Sequence, residues 1–195
     1  MRPGWTTFSP FVSAAMALVF LSAAMAQHDA SPKRLNELTL AGLRPGRDSL
    51  ALAMKRYKAK YSSGDDSSSG QKQWLDPCTG HSLSLDLDDH GVIQEITVSS
   101  LIPLDGKCAD RRTDVLDEKD WITGRGLHLG DPQDRVSELY GEANSSGPSV
   151  RGSNELEFLY YAFDSAGSDV PQAMEIYCAR DTGKVVEIML AYPSL

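Results

Sequence analysis

The 195-residue sequence is poor in the groups most often used for chemistry: it has four histidines and three cysteines. It has no G-x-S-x-G elbow, no H-E-x-x-H, no C-x-x-C and no G-x-x-x-x-G-K phosphate cradle, so the usual hydrolase, zinc-protease, redox and nucleotide signatures are absent. Basic residues are also short, with Lys+Arg 19 against Asp+Glu 27 and a formal charge of -8. A surface of that sign repels phosphate backbones and anionic lipid heads, which excludes an electrostatically driven nucleic-acid binder and favours a neutral or basic partner. Apolar runs of membrane-spanning length are missing too, so no stable membrane insertion is expected of the mature chain.

The longest apolar run is Phe11 to Leu21, preceded by Arg2 and followed by Ala24-Met25-Ala26, the small-x-small pattern a signal peptidase cuts after. Residues 1–26 therefore read as a signal peptide, and the product as exported, periplasmic or secreted. No cysteine follows the cut to accept a lipid. In an oxidising compartment three cysteines predict one bridge and one thiol. Cys78 and Cys108 both lie among turn formers and are paired here, a closure worth about 3.5 kcal/mol. Cys178 sits in the apolar run Ala173 to Cys178 and reads as a buried thiol.

What the sequence does have is an internal duplication. Asp89-His90-Gly91-Val92-Ile93-Gln94-Glu95-Ile96 aligns without gaps on Asp181-Thr182-Gly183-Lys184-Val185-Val186-Glu187-Ile188. Upstream, Gly42-Leu43-Arg44-Pro45-Gly46 aligns on Gly126-Leu127-His128-Leu129-Gly130.

Each half then reads alike. A G-L-x-x-G turn opens a helix: from Asp48 with Leu50, Ala53, Met54 and Tyr57 on one face, and from an Asp131 N-cap and Pro132 with Val136, Leu139 and Tyr140, stopped by Gly141. Strands follow. Gln73–Leu75 is a short one, Ser82–Asp88 alternates strictly, and Val92–Ser99 returns after the turn Asp89-His90-Gly91. In the second half Glu155–Phe163, Ala173–Cys178 and Lys184–Tyr192 form a three-stranded meander, with Asn144–Asn154 as a loop.

The expected fold is α+β: two tandem helix-plus-antiparallel-meander units whose sheet is covered on one face by helices. The first repeat spans 27–100, a charged linker 101–125, and the second repeat 126–195.

Candidate sites are few. Asp86, Asp88, Asp89 and His90 near His81 graze a calcium loop, but the twelfth position from Asp86 is Thr97, and the second copy keeps Asp181 and Gly183 while replacing the others with Cys178, Arg180 and Thr182. No metal site, cofactor or catalytic residue is assigned; Glu95 and Glu187, which recur mid-strand, are the carboxylates to test first should activity be found. Along Leu156 to Phe163 both faces carry large side chains, which a sheet with one wet face does not require. Trp74, Trp121, Tyr160 and Tyr161 are therefore the candidate contact residues, since Tyr and Trp dominate contact energetics.

The paired G-L-x-x-G entries and the meander endings in G-x-[IV]-x-E-I resemble the superfamily of secreted β-lactamase inhibitory proteins and SmpA/OmlA-type assembly lipoproteins, over about 42 to 100 and 126 to 192. The resemblance implies a protein that is not an enzyme and that presents a sheet face and loops to another protein. This chain lacks the lipoproteins' lipid-accepting cysteine and the inhibitors' bridge in each unit. A non-catalytic protein-binding module is thus expected. The alternatives are a small envelope hydrolase or ligand-binding enzyme using carboxylates between the repeats, and a structural envelope component.

Overall fold

The computed structural model describes residues 36–57, 62–63, 70–76, 78–104, 121–163 and 172–192. The expected leader, 1–26, Cys108 and most of the expected linker, 101–125, lie outside them. Ser31–Leu195 is one compact body.

That body is mostly sheet. Eight strands, β1 (Ser62–Ser63), β2 (Lys72–Asp76), β3 (His81–Leu87), β4 (Ile93–Ser99), β5 (Ser145–Arg151), β6 (Asn154–Phe163), β7 (Gln172–Ala179) and β8 (Val185–Ala191), pair antiparallel in the order β1-β2-β3-β4-β8-β7-β6-β5. Among the described residues these are all the strands, and the two helices, α1 (Leu50–Tyr57) and α2 (Gln133–Tyr140), have eight residues each.

The expected α+β class with a helical cover is corrected by these lengths. Two turns of helix bury little: α1 buries Ala53 and Tyr57, α2 buries Val136 and Tyr140, and Met54 stays exposed. Much of the cover is irregular backbone instead, through Leu40, Ala41, Leu43, Trp121 and Leu127. Against it pack Trp74, Leu83, Leu85, Ile96 and Val98 from the first half, with Tyr161, Met174, Ile176, Ile188 and Leu190 from the second.

Two local expectations also change. The Asn144–Asn154 loop contains β5, which pairs along β6 from Ser145↔Tyr160 to Arg151↔Asn154. Its side chains alternate too little to signal a strand; backbone hydrogen bonds hold it at the sheet's rim. Asp131 does not cap α2 forward, because its carboxylate accepts the His128 N–H at 2.9 Å. Asp48 does the same for the Arg44 N–H at 2.8 Å.

The halves meet through β4 and β8. Glu95 faces Ala191, Ser99 faces Glu187, and Thr97 stands opposite Met189 midway. Hydrogen bonds recur on both sides of that midpoint: Tyr192 N–H donates to the Gln94 carbonyl (2.7 Å) and Ser100 N–H to the Val186 carbonyl (2.8 Å). Bulges fall at Asp86/Leu87 and at Tyr177/Cys178. Gly46 N–H donates to Ile93 and Gly130 N–H to Val185, both at 2.7 Å. The ring pairs Tyr57–Trp74 (5.6 Å) and Tyr140–Tyr161 (5.7 Å) stand in matching places against the sheet.

The two turn glycines differ in what surrounds them. Both have positive φ, +73° at Gly46 and +87° at Gly130, where a Cβ costs about 1–2 kcal/mol. A Cβ on Gly46 would also meet the Tyr192 ring at 2.6 Å, whereas one on Gly130 meets nothing within 4 Å. Gly46→Ala is therefore expected to lower the unfolding free energy by about 1–3 kcal/mol more than Gly130→Ala. Urea denaturation of the two variants checks the order; equal losses would refute it.

Candidate functional site

Residues paired across strands share a face, and faces alternate along each strand. The face opposite the core can thus be read from the register. It carries Ser84 and Asp86 on β3, Glu95 and Thr97 on β4, Glu187 and Met189 on β8, and Glu175 and Tyr177 on β7. Phe158 and Tyr160 on β6 join them, followed by Arg151 at the end of β5.

Contacts knit this face together. The Arg151 guanidinium lies 4.4 Å from the Tyr177 ring centroid and 3.3 Å from a Glu187 carboxylate oxygen. The Tyr177 hydroxyl donates to Glu175 at 2.8 Å, and its ring sits 5.2 Å from that of Phe158, which is 6.4 Å from Tyr160. The Thr97 hydroxyl donates to Glu95 at 3.1 Å. Tyr177 and Glu187 are buried, while Glu95, Glu175, Phe158 and Tyr160 are half-buried.

Two of these acids, Glu95 and Asp86, hold their protons harder than usual. Desolvation, then the neighbouring charge of Asp86 and more weakly that of Glu175, raises the Glu95 carboxyl above the ordinary glutamate value, although Thr97 and Arg151 oppose the shift. Asp86 is raised chiefly by burial. Because the folded-state pKa of Glu95 is raised, ionising it works against the fold, and the penalty appears as pH rises through that pKa. Glu95→Gln is therefore expected to be more stable relative to the parent at pH 7.5 than at pH 4. Chemical denaturation at both values measures this, and a gain largest at pH 4 would overturn it.

The four aromatic residues singled out from the sequence fall on different sides. Trp74 (1% exposed), Trp121 (5%) and Tyr161 (1%) belong to the core, so their role as contact residues is corrected. The register explains it: Trp74 pairs with Leu83 and Tyr161 with Met174, both core residues. Tyr160 pairs with Glu175 and lies on the opposite face. Phe158, Tyr177, Glu175 and Arg151 were not singled out; alternation along β6 hinted at Phe158, but only the pairing with β7 brings the others to it.

Among the cysteines, Cys178 is free and buried; desolvation pushes its thiol up to about 12. Cys78 is disulfide-bonded. Among the described residues no cluster of three or more His, Cys, Asp or Glu is placed to hold a metal, and no helix is long and apolar enough to cross a membrane.

A groove of about 690 Å³ is lined by Ser100, Leu101, Glu155, Leu156, Arg180, Asp181 and neighbouring residues.

No family model matches the chain, and no curated protein matches it. Among solved structures, a DUF4309 family protein, YjgB, from Bacillus subtilis subsp. subtilis str. 168 is similar at 10% identity and a TM-score of 0.45, over 80% of this chain and 88% of that one. A cysteine-rich secretory protein, SAV1118, from Staphylococcus aureus subsp. aureus Mu50 is similar at 9% identity and a TM-score of 0.43, over 82% of this chain and 48% of that one. At those values neither likeness bears on what this chain does.

Proposed function

We propose that the protein is an exported, non-catalytic binding module that offers the sheet face bearing Glu95, Glu175 and Glu187 to a neutral or basic surface of another protein. The observation that carries this reading is the asymmetry of the sheet. One face closes over the core, while the other gathers four carboxylates and three aromatic rings around one guanidinium, Arg151, among the described residues. Tyr and Phe supply contact area with few rotors, and the acidic field steers a basic partner. The resemblance to inhibitory and assembly proteins that work through a sheet face supports the same use, and the leader at 1–26 supports export. The reading takes both halves as copies of one module, supported by the recurring register, bulges and turn hydrogen bonds.

Affinity capture from the native envelope tests it, with the mature chain, Tyr160→Ala and Glu175→Gln as baits. A protein recovered by the parent and lost from both variants, with recovery falling as salt rises, is the expected result. Equal recovery by all three baits overturns the reading.

A carboxylate-dependent hydrolase is the second reading. It is favoured by Glu95, which holds its proton above the ordinary range, on the same face as Glu187, which is paired to Arg151. Turnover of activated ester or glycoside substrates, abolished in Glu95→Gln, would decide for it.

The bridge belongs to the same proposal, with Cys108 as the partner of Cys78. Peptide mapping without reductant should join the peptides containing the two, and one thiol per chain, Cys178, should react only after unfolding. A mapped bridge to Cys178 would refute the pairing.

A further inference from the structure

A second pocket lies away from the acidic face. His81 opens β3, and His128 sits in the segment 121–131 that leads into α2. Between them is a pocket of about 160 Å³, lined among the described residues by His81, Trp121, His128 and Leu129. The His81 ring tilts against the Trp121 indole with centroids 5.3 Å apart. Both histidines stand on fixed backbone: His81 pairs with Asp76 across β2 and β3, while His128 bridges to Ile122 and donates its N–H to Asp131.

Neither imidazole makes a hydrogen bond to a described residue, and no carboxylate is among the described residues that line the pocket. Two ring nitrogens without oxygen ligands disfavour calcium or magnesium, which need several oxygens, and suit a borderline transition ion. A water takes about 30 Å³, so the volume admits an ion with part of its hydration shell.

We propose that this pocket binds one divalent ion of the copper–zinc class, with His81 and His128 each giving one ring nitrogen and water completing the shell. The residues differ from the acidic turn around His90, and the site is independent of the protein-binding face. Trp121, in contact with His81, is a built-in reporter, because copper(II) quenches a nearby indole.

The experiment is a titration of the untagged full chain with copper(II), followed by tryptophan fluorescence and by calorimetry, with zinc(II) as competitor. One equivalent should bind and quench, and zinc(II) in large excess should reverse the quenching, since copper(II) is the tighter ion at nitrogen donors. His81→Gln and His128→Gln should each weaken binding by about tenfold or more, while His90→Gln leaves it unchanged. Trp121→Phe should keep the calorimetric binding and lose most of the quenching, which reads the site separately from any folding defect in the histidine variants. Copper binding unchanged in both pocket variants, or lost in His90→Gln, overturns the proposal.

Discussion

Glu37→Ala is expected to lower the unfolding free energy by about 3–5 kcal/mol, because it removes a buried carboxyl acceptor and strands the donors around it. Glu37 is 1% exposed. One carboxylate oxygen accepts the N–H groups of Leu38 (2.8 Å), Thr39 (3.1 Å) and Gly124 (3.0 Å), and the other accepts the Arg125 N–H (3.0 Å) and the Tyr140 hydroxyl (2.7 Å). A single side chain thereby ties the segment before Leu40, the loop after Trp121 and the end of α2 into one unit. Burial, followed by the Glu37 charge, drives the Tyr140 hydroxyl far above the ordinary phenol value, so it remains a donor well into the alkaline range. Glu37→Gln keeps one acceptor oxygen but turns an amide N–H₂ toward donors, and should fall between parent and alanine variant. Urea unfolding measures all three. Losses below about 0.5 kcal/mol in both variants would show that water replaces the carboxylate without cost.

Neighbouring tyrosines should give opposite results. Tyr161→Ala is expected to cost about 3–5 kcal/mol, since it empties a core site 1% exposed whose ring packs against Tyr140 and Phe163 and whose hydroxyl donates to the Gly141 carbonyl at 3.1 Å. Tyr160→Ala leaves the core intact and should cost about 1 kcal/mol or less, yet it is the variant that should abolish partner capture. Thermal and urea melts of the two, set beside capture by the same baits, separate folding from binding. A Tyr160 variant as unstable as the Tyr161 variant would mean that the two faces are packed alike.

Much of the sheet was legible because its devices are local. The D-x-G turns at Asp89-His90-Gly91 and Asp181-Thr182-Gly183 announced the hairpins before β4 and β8, and the alternation of Ser82 to Leu87 announced β3. Helix faces were legible as well, from Ala53 and Tyr57 to Val136 and Tyr140. What failed was anything set by partners distant in sequence. β5, Ser145–Arg151, has Gly147 and Pro148 at its centre and is a strand only because β6 pairs with it. Alternation places Tyr160 and Tyr161 on opposite faces but not which face is the core; the register with Met174 and Glu175 decides that. Glu37 is one acid among many in an acidic chain, and nothing local marks it as buried. The helical cover was overestimated for a related reason: Leu40, Leu43 and Leu127 lie in irregular segments whose apolar residues have no period to read.

The order of the strands governs how such a sheet can meet other chains. β4 and β8, whose residues Ile96, Val98, Ile188 and Leu190 are all buried, lie in the middle and are sheltered from aggregation. The outermost strands are β1, two residues long, and β5, where a proline withholds an amide and serines replace apolar side chains. Such borders are poor templates for an incoming strand. Recognition by lengthening the sheet is thereby discouraged, and a visiting protein is left to approach its broad side.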